Sequence, residues 1–144
     1  MAKKTIVLTK CNDLVEYPAV GAIKPGHLVE VTSAGKVQPH STEGDFAELL
    51  FAREYETNGQ TIDTDYVAND TVACEIAKRG DVINAWIKAG VGVVAGELLV
   101  SDGDGTLVGE ADATTVNQIV AVATEALDLT ASGAVNTRLA VRVV

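Results

Sequence analysis

The chain contains no apolar run long enough or regular enough for a long helix. From Gln60 to Val143 it is a ladder of short β-type runs, broken every few residues by glycine, asparagine or a carboxylate. The ladder closes on the apolar run Ile119–Glu125 and the alternating run Thr137–Val143. Such a pattern restricts the chain to hairpins packed face to face, with helix well below the usual third of residues. Nothing in it looks built for chemistry. It looks built to make a compact β surface against which other protein packs.

The composition fits that reading. Hydrophobic residues make up 47% of the 144 but aromatics only 4%, so the core must come from Val, Leu, Ile and Ala, two of which are β-branched. A chain of this length, read as one domain, buries roughly 68–70% of its unfolded surface and needs no metal or disulfide. The net charge of −9 disfavours a phosphate backbone as partner, since binding one needs clustered Lys and Arg. It favours solubility at high concentration. The opening Lys3-Lys4-Thr5-Ile6-Val7-Leu8 is basic and then apolar, but its apolar part ends at Thr9-Lys10, too short for a signal-peptide core or a membrane span. Neither nucleic acid nor membrane is expected as a partner.

Along the chain, Thr5–Thr9 and Leu14–Val20 read as strands, with Pro18 keeping the second off a central position. Pro25-Gly26 is a turn, and Leu28–Thr32 with Lys36–Gln38 forms a hairpin across Ser33-Ala34-Gly35. Phe46–Glu54 fits both a helical and an alternating period, and strand is the reading taken. Asn58-Gly59 is a turn. Ile62–Tyr66 reads as one helical or 3-10 turn capped by Asp63. Val72–Ala77 and Val82–Ile87 read as a second hairpin through Lys78-Arg79-Gly80-Asp81, and Asp102-Gly103-Asp104-Gly105 turns Leu98–Val100 back into Leu107-Val108. Gly26-His27-Leu28 with Gly35-Lys36-Val37 matches Gly96-Glu97-Leu98 with Gly105-Thr106-Leu107, as any two tight hairpins would. The expected architecture is therefore all-β: a small barrel or sandwich of short hairpins over residues 21–144, at most one short helix, and an N-terminal arm or first strands over 1–20.

Each candidate chemical site weakens on inspection. The acidic turn Asp102–Gly105 lacks the terminal bidentate Glu and the spacing of a calcium loop. Gly90-x-Gly92-x-x-x-Gly96 has the wrong spacing for a dinucleotide loop. Arg79-Gly80-Asp81 is a three-residue match that a hairpin turn favours anyway. His40, Ser41 and Asp45 share one polar loop with nothing to orient them as a triad. Cys11 and Cys74 have no metal-ligand spacing with each other or with His27 and His40. No catalytic, cofactor or metal residues are assigned, and no enzyme activity is expected.

Several stretches do carry a likeness. Ile62-Asp63-x-x-Tyr66-x-x-x-Asp70-x-Val72 and Arg79-Gly80-Asp81-Val82-x-x-x-Trp86-Ile87 are two of them. Ala95-Gly96-x-Leu98 and Asp104-Gly105-x-Leu107 follow, then Ile119-Val120-Ala121-Val122-Ala123-x-Glu125-Ala126 and Arg138-Leu139-Ala140-Val141-Arg142-Val143. Together with Gly21-x-Ile23-x-Pro25-Gly26-x-Leu28-Val29, this pattern resembles the small bacteriophage capsid cement, or decoration, proteins. Asn69 stands before Asp70 where a turn glycine is expected, and asparagine tolerates the left-handed conformation such a turn needs.

The resemblance implies a structural virion protein, made in the bacterial host cytoplasm. It would bind the outside of an icosahedral head, bridge major capsid protein subunits and assemble with itself, as a homotrimer by preference or a dimer. The resemblance carries over no catalytic residues. Ala2–Lys10 holds three of the eleven basic residues around Ile6-Val7-Leu8, and reads equally as an arm reaching a partner or as an ordinary first strand. On the arm reading the interface residues are Lys3, Lys4, Ile6, Val7 and Leu8, and deleting the arm leaves the domain folded. Trp86, the one tryptophan, is expected to be largely buried in the core or the subunit contact. The alternative function is a β-rich surface-adhesion or carbohydrate-binding module.

Overall fold

The computed structural model describes residues 3–9 and 13–144. Ala2, Lys10 and Cys11 therefore lie outside the described residues. The strands in chain order are β1 (Val7–Thr9), β2 (Leu14–Pro18), β3 (Leu28–Val31), β4 (Val37–Pro39), β5 (Leu50–Ala52), β6 (Thr71–Ile76) and β7 (Val82–Ile87). They continue with β8 (Gly92–Val93), β9 (Leu98–Ser101), β10 (Leu107–Gly109), β11 (Ala121–Ala123), β12 (Leu127–Asp128) and β13 (Thr137–Val143). Helical structure among the described residues is confined to 3-10 turns at Glu56–Asn58 and Glu110–Asp112. The protein is all-β.

Two sheets do most of the folding, and both close. In the first, the order is β2-β6-β5-β3-β4, and a parallel bridge from Ala19 to Val37 joins its ends into a small five-stranded barrel. In the second, β7-β10-β9-β11-β13 returns to its start because β13 also pairs with β7, from Thr137 opposite Ile87 to Arg142 opposite Val82. Closure pairs the end strands of each ring with each other, and β1 joins the second ring through β7 alone. Short β8 and β12 pair separately.

Each ring has its own core, and β3 and β5 are the wall between them. Leu28 and Phe51 point into the larger core with Ile83, Ile87, Leu99, Leu107 and Val141. Their neighbours Val29, Leu50 and Ala52 point into the smaller one with Ile23, Tyr66 and Val72. A strand buried on both faces reads as a continuous apolar run rather than an alternation, which is why Leu50-Phe51-Ala52 is apolar throughout.

The expected hairpins β3–β4 and β9–β10 form, and β13 spans the predicted Thr137–Val143 with Leu139, Val141 and Val143 inside. Asn69 takes the left-handed conformation, at φ 69°. Four expectations are corrected. Thr71–Ile76 and Val82–Ile87 are not a hairpin: β6 pairs with β2 and β5, and β7 with β1, β10 and β13. Gly80 and Asp81 bond the backbone of Val143, so the turn hands the chain from one ring to the other. Ile62–Tyr66 holds no 3-10 helix: the Thr61 hydroxyl accepts the Asp63 N–H, and the Asp63 carboxylate faces Arg138 at 3.4 Å. The strand predicted over Phe46–Glu54 shrinks to β5, because Leu49 sits at φ 41° and the loop before it bonds elsewhere. Leu14–Val20 stops at Pro18, and Ile119–Glu125 narrows to Ala121–Ala123.

At the N-terminus the sequence leaves two readings open, an arm and a first strand. β1 pairs with Val82 and Ile83 of β7, Asn84 N–H donates to the Ile6 carbonyl, and the Ile6 side chain is fully buried in the larger core. The Ile6 N–H donates to the buried Glu54 carboxylate. The first-strand alternative is the one the chain adopts, so a deletion of Ala2–Lys10 opens the core. Likewise, β1 belongs to one ring and β2 to the other, so residue 20 does not divide two bodies.

Candidate functional site

Strand β7 directs alternate side chains to opposite faces, although Asn84 on the outer face is itself buried. Ile83, Ala85 and Ile87 face the larger core, while Asn84 and Trp86 face outward. Trp86 is accordingly half-buried on the outer face of the ring rather than in the core, the first of the two places expected for it. β13 sets Arg138 directly opposite it, and the guanidinium lies 4.2 Å from the indole centroid. Lys24 approaches the same ring at 5.7 Å and His27 meets its edge with centroids 6.4 Å apart. Such contacts favour a cation over an aromatic face.

The turn Lys24–His27 reaches this close because residue 26 is glycine. A Cβ there would stand 2.9 Å from the Asn84 carbonyl oxygen and 3.1 Å from the indole Cδ1, and φ is +101°. The turn presents one carbonyl, Pro25 O, to two donors: Trp86 Nε1 at 2.8 Å and the Arg138 guanidinium at 3.1 and 3.2 Å. Arg138 also donates to Ile62 O at 2.5 Å. The stack is thus fixed from both sides.

Two depressions flank the indole. One, of about 370 Å³, is lined by Lys3, Asn84, Trp86, Glu125, Asn136 and Arg138. The other, of about 510 Å³, lies between Lys24, His27, Trp86, Asp104 and Val135. Burial pushes His27 down to about 4, with Lys24 and Arg138 acting in the same direction against Asp104 and Asp65. Its Nδ1 accepts the Lys24 N–H at 3.2 Å, as a neutral imidazole does. The surface therefore offers an aromatic platform, cations and amides.

The sequence-predicted interface residues separate into three groups. Lys3 and Trp86 share the first depression, with Lys3 ion-paired to Glu125 at 3.5 Å. Lys4 is exposed in a separate depression beside Glu56 and Asp63. Ile6 is core, and Val7 and Leu8 are partly buried in β1. Sequence reasoning missed Lys24, His27 and Arg138. The signal was present for Arg138 alone, in the outward phase of Thr137–Val143.

The other sites weighed in the sequence are absorbed by the fold. His40 is buried, its Nδ1 2.6 Å from Ser101 Oγ and its Nε2 3.1 Å from the Phe46 carbonyl oxygen, while Ser41 Oγ donates to Glu30. Asp102 accepts from Lys88 at 2.6 Å, and Asp104 accepts the Thr106 N–H. Among the described residues no three His, Cys, Asp or Glu side chains are grouped to hold a metal ion. None of the described helices is long and apolar enough to cross a membrane. In comparisons with known proteins, the chain matches no family model and no curated protein.

Proposed function

We propose that the protein is a structural virion component, a capsid cement protein. It binds the outer surface of an icosahedral phage head and stabilises it by bridging major capsid protein subunits. Beside the sequence resemblance, the observation that carries this reading is the surface around Trp86. A half-buried indole, fixed between Arg138 and Lys24, sits between two open depressions, one of which also takes in Lys3. Tryptophan and arginine held rigidly on a closed β body are the residue types that dominate protein contacts. Bridging adds binding free energy present only in the assembled lattice, so it stabilises the shell by mass action. Self-assembly, as a trimer or dimer, would let several weak contacts sum to tight occupancy.

The adhesion reading draws on Arg79-Gly80-Asp81, whose Arg79 and Gly80 are exposed. There Asp81 is engaged within its own turn, accepting the Lys78 N–H at 2.7 Å, which favours the cement reading. The test mixes purified protein with undecorated particles of its cognate head and measures occupancy and the temperature of genome release. Wild type should bind and raise that temperature. The exposed charge reversal Lys3→Glu/Lys4→Glu, which leaves Ile6 in place, should lower occupancy. Failure of the wild type to bind would remove the cement reading.

A further inference from the structure

Trp86 is not the only aromatic at the surface. The chain has two Phe, three Tyr and one Trp, and the one fully exposed among these six is Phe46, at 74%. A single exposed apolar side chain is ordinary. What sets Phe46 apart is its backbone. Its N–H donates to Asp45 Oδ1 at 2.8 Å and its carbonyl oxygen lies 3.1 Å from the buried His40 imidazole. The next residue is held as firmly: Ala47 N–H donates to Gln118 Oε1 at 2.7 Å and Ala47 O accepts from Gln118 Nε2 at 3.2 Å. Two residues earlier, Gly44 donates to Ser101 O and accepts from the N–H groups of Asn117 and Gln118. The backbone of Gly44, Phe46 and Ala47 is bonded inward, while the Phe46 ring points to solvent. Val116, 40% exposed, lies on the segment to which the loop is bonded.

The surroundings of that ring are charged with one sign. The 41–48 loop carries Glu43, Asp45 and Glu48, the 110–118 segment bonded to it adds Glu110 and Asp112, and neither contains a Lys or Arg; Asp102 and Asp104 face Lys88 and the Trp86 depression instead. The Asp102 carboxylate is taken up by Lys88 at 2.6 Å. An aromatic anchor held in advance of binding loses little conformational freedom when it docks. An acidic rim selects a basic one. Apposing this patch to itself across a twofold axis would set like charges against each other, so the occupant is not the same patch on a second copy.

We infer that Phe46 is a second docking anchor, inserting into an apolar socket rimmed by Lys or Arg on the capsid shell subunit. This rests on the cement reading and adds to it a contact distinct from the Trp86 face. The test compares wild type, Phe46→Ala and the exposed charge reversal Glu48→Lys/Glu110→Lys on undecorated particles, across a salt series. Phe46→Ala should bind about tenfold more weakly or worse, as truncation of an interface anchor does. Its melting temperature and sedimentation coefficient should stay those of the wild type. The charge reversal should weaken binding and flatten its salt dependence. If the wild type binds and Phe46→Ala binds equally well, this inference falls and the cement reading stands. If Phe46→Ala changes the oligomeric state, the ring is occupied by a second copy and the inference falls as well. If the wild type does not bind, both fall.

Discussion

Substituting Gly44 by alanine tests whether the loop that presents Phe46 is as tightly tied as its geometry indicates. Gly44 is buried at φ +67°, and an added Cβ would lie 1.6 Å from the Thr115 carbonyl oxygen and 2.4 Å from its carbon. Real Cβ contacts essentially never fall below 3.0 Å, so the 41–48 loop and the 113–118 segment must move apart by the difference. Both neighbours at the clash are backbone, which cannot rotate away. The separation breaks the bonds from Asn117 N–H at 2.8 Å and Gln118 N–H at 3.2 Å to Gly44 O, worth about 1 kcal/mol each. The left-handed conformation adds about 1–2 kcal/mol for any residue with a Cβ. The expected destabilisation is about 3–4 kcal/mol. Gly35→Ala is the control: φ is +73° but nothing lies within 4 Å of the new Cβ, so it should lose only the conformational part, about 1–2 kcal/mol. Urea unfolding of both variants reads the difference directly, and thermal melting should separate them at roughly 2–4 °C per kcal/mol. Equal destabilisation of the two would refute the close packing of the loops.

Four further outcomes follow from the structure. His27 binds its proton less tightly folded, at about 4, than unfolded, near 6.5, so unfolding takes up a proton between those values. Stability is full above pH 6.5 and falls as pH drops towards 4, by at most about 1.4 kcal/mol per pH unit, and His27→Gln should remove that part of the slope in pH-dependent unfolding. Trp86→Phe keeps the ring but loses the bond to Pro25 O, costing about 1 kcal/mol, and Trp86→Ala should cost about 2–3 kcal/mol, below the roughly 3–5 of a core tryptophan, in the same assay. Burial pushes the Cys74 thiol up to about 12, so in a Cys11→Ser background a thiol reagent should modify it only as fast as the protein unfolds. EDTA should leave the melting temperature unchanged, and a drop reversed by calcium would favour the adhesion reading.

The sequence reveals the alternation of β13 and the two tight hairpins because those depend on neighbours only a few residues away. Which strand lies beside which is another matter. The turn Lys78–Asp81 looks the same whether the chain folds back on itself or crosses to another sheet, and it crosses. The apolar triplet Leu50-Phe51-Ala52 is ambiguous in sequence for a physical reason: both its faces are buried, so it has no period to read. Ile6-Val7-Leu8 reads as an arm or a strand until β7 is known to have an open place for it. Residue type left Trp86 open between the core and a subunit contact. A lone tryptophan is usually inside, but the phase set by Ile83, Ala85 and Ile87 puts it outside, and that phase was there to be read. The Phe46 display depends on bonds from His40, Ser101 and Gln118, which no local pattern announces.

Charge distinguishes the two proposed anchors: basic side chains gather at one and are lacking on the loop of the other. No Lys or Arg occurs between Lys88 and Arg138, and that stretch adds Glu110 and Asp112 to the Glu43, Asp45 and Glu48 of the Phe46 loop. Lys3, Lys24 and Arg138 gather instead around Trp86. A protein that merely coats a shell needs one such surface, whereas one that bridges subunits needs two. This gives bridging a signature of its own. If only the Trp86 face docks, Lys3→Glu/Lys4→Glu weakens binding and Glu48→Lys/Glu110→Lys does not. If both faces dock on neighbouring subunits, each set weakens binding, because the first contact raises the effective concentration for the second. Either loss then leaves single-contact binding, with occupancy reduced and little stabilisation of the shell. Combining the two sets should abolish occupancy rather than halve it again. Occupancy that survives either change while stabilisation disappears would mark the protein as a bridge rather than a coat.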